Sequence, residues 1–401
     1  MSMTMRKGGP LEGLKVLDLT RVLSGPFATS WLSDMGATVI KLEDPEGGDT
    51  SRGVEGYNNG FAVLNRNKRC VTLNLKTAKG KEMFLELVKQ VDVVTENFRP
   101  GTLEKLGLGF EAMRAVNEKI VLVSVSGYGQ NGPYAHRPGY DPVGQAMGGI
   151  MSVTGEKGGG PLRCGPSIAD ITSGMNMVIG VLAAMYRVNA TGKGEWVDIS
   201  LVDTVLGLCS TNYASYHANG CVQPPRLGND YGGWTPYGGG FKTLDGYFNI
   251  GVGQDKHWRF FCEKLLGRPE LGTDPRFLTQ ATRSENREET NKLVADWCAN
   301  LTVKEAVEKL NEAGVPAAQV YGFAEIDADE HFTVHRKMVR KMDNPILGEI
   351  SYVSIPPIFR EAGLSEPTQA GLLGQFNEEV YGECLGMSPE EVAQLKKDGI
   401  I

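Results

Sequence analysis

One carboxylate stands out by its surroundings. Asp170 lies in Gly165-Pro166-Ser167-Ile168-Ala169-Asp170-Ile171-Thr172-Ser173-Gly174, where a loop meets an apolar helical run. The residues alone leave two readings open. Asp before a helix is a favoured N-cap. Thr172 or Ser173 fills that role equally well, which would leave the Asp170 carboxylate free for chemistry. A carboxylate near helix-terminal N–H groups is expected to stay ionised at neutral pH. An ionised carboxylate can attack an activated acyl group.

Other chemistry-bearing residues sort around it. Arg21, Lys76, Arg99, Lys105 and Arg137 fall at or just beyond the ends of strand-like runs. Each by itself is an ordinary surface charge; together they suit a phosphorylated ligand. Gly127-Tyr128-Gly129-Gln130-Asn131-Gly132 matches G-x-G-x-x-G. That fingerprint must open a helix whose N-terminus faces a pyrophosphate. Here Pro133 and Pro138 follow, the segment reads as an extended loop, and the preceding strand is the fifth rather than the first. The glycines then serve to let backbone approach some other ligand. There is no G-x-S-x-G and no G-x-x-x-x-G-K-[ST]. Only His136 lies in a post-strand loop, so a His-based triad is hard to build. His331 and His335 stand at i, i+4 without the glutamate of a zincin, and the seven cysteines contain no C-x-x-C. No metal site is expected.

The elements that must position these residues follow from periodicity. Apolar runs at 14–19, 37–42, 70–75, 91–95 and 120–126 alternate with helical patterns at 26–35, through Phe84 and Val88, and near Leu103. A helix from Thr172 to about Arg187, a strand at 195–199 and a second apolar helix at 201–210 complete this part. Such alternation predicts an α/β, Rossmann-like parallel sheet covered on both faces. Its ligands belong at the carboxyl ends of the strands. The character changes near residue 220, with Gln223-Pro224-Pro225-Arg226 as a linker and dense glycines at 232–233 and 238–240. A hairpin around Asp245-Gly246 and helices at 255–266, 284–299 and 303–313 predict a smaller α+β domain. The expected division is 1–215 for the large domain, 216–330 for the small one, and 331–401 returning to the large domain.

Composition bounds the rest. Hydrophobic residues make up 41% and charged residues 22% of 401, which is globular composition. Lys+Arg 41 against Asp+Glu 48 leaves a net charge of −7. No basic field for nucleic acid is expected. Scattered cysteines, odd in number, predict a reducing, cytoplasmic setting without a disulfide framework. MSMTMRKGGP lacks an apolar signal region, and Met175 to Tyr186 is too short to span a bilayer, so no membrane partner is expected.

Several ordered motifs resemble family III CoA transferases of the formyl-CoA:oxalate and carnitine type. They are Leu17-Asp18-Leu19-Thr20-Arg21-Val22-Leu23-Ser24-Gly25-Pro26, the run from Leu32 to Glu43, Asn65-Arg66-Asn67-Lys68-Arg69, Leu73-Asn74-Leu75-Lys76 and Glu96-Asn97-Phe98-Arg99-Pro100-Gly101. Ser126 to Asp141, Ser167 to Gly174, Thr273 to Phe277 and Gly314-Val315-Pro316 match as well. The resemblance implies that Asp170 is the catalytic nucleophile and that it passes through a mixed anhydride with the acyl group of an acyl-CoA. It implies CoA contacts at Val22, Leu23, Ser24, Leu73, Lys76, Asn97, Phe98, Arg99, Lys105, Tyr140 and Asp141. At Asp44 this chain departs from members that place a basic residue there for the CoA phosphates. Gly238, Gly239 and Gly240, or Gly232-Gly233, stand for the mobile glycine loop of some members. The implied partners are an acyl-CoA and a carboxylic acid, with CoA thioester as substrate and no resident cofactor. The implied assembly is an interlocked homodimer, each chain threading a ring formed by the other. Related α-methylacyl-CoA racemases use a His in a Gly-His-Asp loop. Here that loop reads Gly139-Tyr140-Asp141, so a racemase-like isomerase is the alternative and the transferase is preferred.

Overall fold

The computed structural model describes residues 3–53 and 56–401. Six strands form one parallel sheet: β1 (Lys15–Asp18), β2 (Thr38–Glu43), β3 (Arg69–Thr72), β4 (Val93–Glu96), β5 (Val121–Ser126) and β6 (Glu195–Ser200). Their order is β3-β2-β1-β4-β5-β6. Each is short, and β1 to β5 are rich in β-branched residues and nearly fully buried, as strands covered on both faces must be. Side chains alternate between faces along each strand. Leu17, Ile40, Val94 and Leu122 enter one core with the helix Ala78–Val88 and with Val380, Tyr381 and Val392 from the end of the chain. Val16, Val39, Val93 and Val121 enter the other, with Ala28, Leu32, Met177, Val181 and Val188.

The helix Ile168–Thr191 packs on this second face against β5, β6 and the helix Ser24–Asp34. It runs 24 residues, longer than the apolar stretch read from the sequence, and by length and composition it could cross a membrane. Met177, Val178, Val181, Ala184 and Val188 are nevertheless buried in the core cluster on the second face of the sheet. It also begins before Asp170 rather than after it. The expected boundary relied on a cap close in sequence, whereas the group that receives the Ala169 N–H is Asp141, 28 residues away.

The chain divides into two compact units: Met1–Ile150 with Arg163–Ala214 and Val334–Ile401, and Met151–Leu162 with Ser215–Thr333. The segment Met151–Leu162, expected in the large domain, belongs to the second unit. The second unit holds an antiparallel sheet of β7 (Asp230–Tyr231), β8 (Trp234–Lys242), β9 (Tyr247–Gly251) and β10 (Ala317–Gln319), ordered β10-β9-β8-β7. β8 and β9 form the hairpin across Asp245-Gly246, with Phe241 opposite Phe248. Trp258, Phe261, Phe277, Val294 and Leu310 fill its core. A hairpin of β11 (Val339–Asn344) and β12 (Gly348–Val353) belongs to the first unit.

Candidate active site

Between β1 and β4 the parallel sheet changes its winding direction, and the loops after these neighbouring strands diverge. Crevices at such a point take ligands. A cavity of about 230 Å³ opens there. Arg21, Val22, Leu23 and Ser24 come from the loop after β1, and Asn97, Phe98, Arg99 and Pro100 from the loop after β4. Val125 and Ser126 end β5, and Gly127 follows it. Arg137, Pro138, Gly139 and Tyr140 return past them, and Leu201 and Asp170 complete the wall.

The G-x-G-x-x-G segment opens no helix; the next one is Asp141–Met147. Its first glycine is needed for a close crossing. A Cβ on Gly127 would stand 2.7 Å from the Cα of Gly139, and one on Gly139 2.5 Å from the Cα of Gly127. The two backbones touch at the floor of the cavity.

Asp170 occupies the first turn of Ile168–Thr191, and no hydrogen bond or ion pair engages its carboxylate among the described residues. It caps nothing. The cap comes from Asp141, which is buried: one oxygen accepts from the Ala169 N–H at 2.9 Å, the other from Gln145 Nε2 at 2.7 Å. Gln145 in turn accepts from the Cys164 N–H at 2.8 Å. The helix N–H groups do not hold the Asp170 carboxyl at its ordinary value. Burial, with the charge of Asp141 added, pushes its carboxyl up to about 6. It remains mostly ionised at neutral pH but is more basic than an ordinary aspartate.

Cationic groups line the same cavity. The Arg21 guanidinium lies 5.3 Å from the Phe98 ring centre and that of Arg137 4.1 Å from the Tyr134 ring centre. Among the described residues Arg21, Arg99 and Arg137 make no ion pair, so their charge is available to an anionic ligand. Val22, Leu23, Ser24, Asn97, Phe98, Arg99 and Tyr140 are thus brought together with Asp170. The other expected contacts stand apart. Leu73 is in the core, Lys76 is exposed and pairs with Asp44 at 3.5 Å, and Lys105 is exposed at the end of Thr102–Leu106. Asp141 is occupied as the cap. Gly238–Gly240 form no loop: they lie in β8, in the second unit, all at positive φ, and the register shifts there. Val125, Ser126 and Leu201 line the cavity and were not anticipated. They sit at strand and helix ends whose spatial order the sequence does not display.

The comparisons with known proteins come to one answer. The model of CoA-transferase family III matches residues 11–376. The succinyl-CoA–D-citramalate CoA-transferase of Chloroflexus aurantiacus is 36% identical over 404 residues, 99% of this chain and 100% of that protein. The formyl-CoA:oxalate CoA-transferase of Streptomyces avermitilis is 38% identical, over 98% of this chain and 99% of that one. A crystal structure of a CAIB/BAIF family protein from Brucella suis superposes with a TM-score of 0.82 at 36% identity, covering 94% of this chain and 100% of that one. With a parallel α/β sheet, an unengaged carboxylate in its crevice and kinship along nearly the whole chain, this protein belongs to CoA-transferase family III and is an acyl-CoA:carboxylate CoA-transferase.

Proposed function

We propose that Asp170 is the covalent carrier through which CoA passes from the donor acyl group to the acceptor acid. One carboxylate oxygen attacks the thioester carbonyl carbon, and the C–S bond breaks with its electron pair leaving on the CoA thiolate. A mixed aspartyl anhydride remains. The thiolate then attacks the aspartyl carbonyl, releasing the donor acid and leaving CoA as a thioester on Asp170. The acceptor carboxylate attacks that thioester, frees the thiolate again, and receives CoA when the thiolate attacks the new acyl carbonyl. Each intermediate keeps the activation of the original thioester, so no ATP is needed. Each tetrahedral oxyanion needs fixed positive charge or N–H groups, and the anhydride needs protection from water. The observation that carries this reading is the Asp170 carboxylate, unengaged among the described residues and facing a cavity lined by three arginines without ion-pair partners.

In this reading Val22, Leu23, Ser24, Asn97, Phe98, Arg99 and Tyr140 receive the thioester end of CoA, and exposed Lys76 and Lys105 meet its phosphates. The acids are dicarboxylic. The relatives act on citramalate and oxalate, and guanidinium forks match carboxylate geometry. The racemase alternative is not favoured, because the relatives are named CoA-transferases. The working assembly is an interlocked homodimer, supported by an exposed apolar face on Ile168–Thr191. Seven free cysteines support a reducing cytoplasm.

Asp170→Ala tests the mechanism. Transfer between a succinyl-CoA donor and a panel of dicarboxylates, followed by mass spectrometry, should fall below detection while thermal unfolding stays cooperative. Hydroxylamine added during wild-type turnover should leave a hydroxamate on Asp170. Turnover by Asp170→Ala near the wild-type rate would sink the mechanism.

A further inference from the structure

The loop that follows β1 carries an unusual backbone. Val22 has φ 69°, in the left-handed region. For a β-branched residue this is an outlier, and it persists only where the surroundings over-determine it. Those surroundings can be traced bond by bond. Asn97 grips both backbone groups of Arg21, accepting from its N–H and donating to its carbonyl, each at 2.8 Å. The Val22 N–H donates to Asp49 Oδ1 at 3.1 Å. The other oxygen of Asp49 accepts from Lys41 Nζ at 2.9 Å, and Lys41 also donates to the Thr20 carbonyl at 2.8 Å.

Lys41 and Asp49 are both buried, and neither lines the cavity. A buried ion pair adds little net stability, because its attraction is offset by lost hydration. Here both partners direct further hydrogen bonds at one segment, Thr20–Val22, whose next residues wall the cavity beside Asp170. Asp49 is itself fixed by Glu43, which accepts its N–H at 2.9 Å and is held by Arg52 at 2.6 Å.

We propose that Lys41 and Asp49 are positioning residues for the acyl-CoA site, acting as a buried latch that keeps Val22 left-handed and so sets the Arg21–Ser24 wall. The inference rests on the cavity being that site. The latch predicts coupling between a buried acid and the backbone preference of a residue it touches.

A double-mutant cycle reads this directly. Asp49→Asn keeps the size but turns one acceptor side into a donor, so Lys41 and Val22 cannot both be served. In the Val22 background it should raise KM for the acyl-CoA roughly tenfold, with a smaller change in kcat. Glycine adopts the left-handed conformation without help. In a Val22→Gly background the same Asp49→Asn change should therefore raise KM by less than about threefold. An equal KM penalty in both backgrounds overturns the latch. If Asp49→Asn does not fold, melting temperatures of Val22→Gly and Val22→Ala decide instead. The glycine variant should melt higher, and an alanine variant melting as high or higher overturns the proposal. Asp170→Ala, assayed alongside, separates the two ideas. Retained turnover there refutes the site reading, whereas lost turnover with no coupling refutes the latch alone.

Discussion

At the scale of single residues, the proposed mechanism makes the Asp170 carboxyl set the pH range of the enzyme. Burial and the neighbouring Asp141 raise it to about 6. Below that pH the acid form dominates and cannot attack, so kcat/KM for the acyl-CoA should fall about tenfold per pH unit on the acid side. Asp141→Asn removes one of the two causes, so the acid limb should move to lower pH. The same change disturbs the cap. The asparagine oxygen still accepts from the Ala169 N–H, but its amide meets Gln145 Nε2, and turning Gln145 round loses the Cys164 N–H. The rate on the plateau should therefore drop as well. A pH profile of both enzymes checks this; an acid limb that stays in place contradicts the assigned role of Asp141. The place of Asp170 near the start of an apolar helix was legible in its segment. Its raised pKa was not, because desolvation belongs to the folded surroundings. Asp141 stands in a motif read as a CoA contact, and its capping bond spans 28 residues.

At the scale of elements, what matters is how closely two helices can approach. Gly174 lies one turn beyond Asp170. A Cβ there would stand 2.6 Å from the Ser24 carbonyl oxygen and 2.8 Å from the Phe27 ring. Backbone cannot yield as a side chain does, so Gly174→Ala must push Ile168–Thr191 away from Ser24–Asp34. Asp170 and Ser24 line the same cavity from these two helices. The expected cost is about 1–3 kcal/mol of stability, read by thermal unfolding, together with a clear loss of kcat. A variant that melts and turns over like the wild type would show that the contact is slack. The parallel sheet was legible because strands such as Val121–Ser126, buried along their whole length, read as short valine-rich runs between helical patterns. β11 was not. In Val339–Asn344 only Met342 and Asn344 are buried, and three of the other four residues are charged. The helix Asn377–Leu385 escaped as well: only Val380 and Tyr381 are buried, and Gly382, a poor helix former, stands inside it. Residues 238–240 looked like a loop because glycine clusters usually are loops. In β8 they form a bulge, where a Cβ on Gly238 would meet the Asn229 carbonyl at 2.6 Å.

At the scale of the whole molecule the same helix that carries Asp170 argues for a second copy. Its sheet-facing stripe is buried, but Ile179, Leu182 and Tyr186 are 62%, 40% and 80% exposed. Their spacing of three and four residues puts them on one face. Contiguous apolar surface of this kind marks an interaction site, and the assembly implied by the resemblance supplies the occupant. Sedimentation should return twice the 43.5 kDa of one chain. Interlocking adds a stricter expectation, since threaded chains cannot separate while folded. Dilution to nanomolar concentration should leave the dimer intact, and isotopically heavy and light dimers should exchange subunits only after denaturation. Leu182→Glu sets a charge into this face and should yield monomer or aggregate with little transferase activity. If the wild-type protein runs as a monomer and is fully active, this face has another purpose. If it is a dimer that exchanges subunits freely under native conditions, the chains associate without threading.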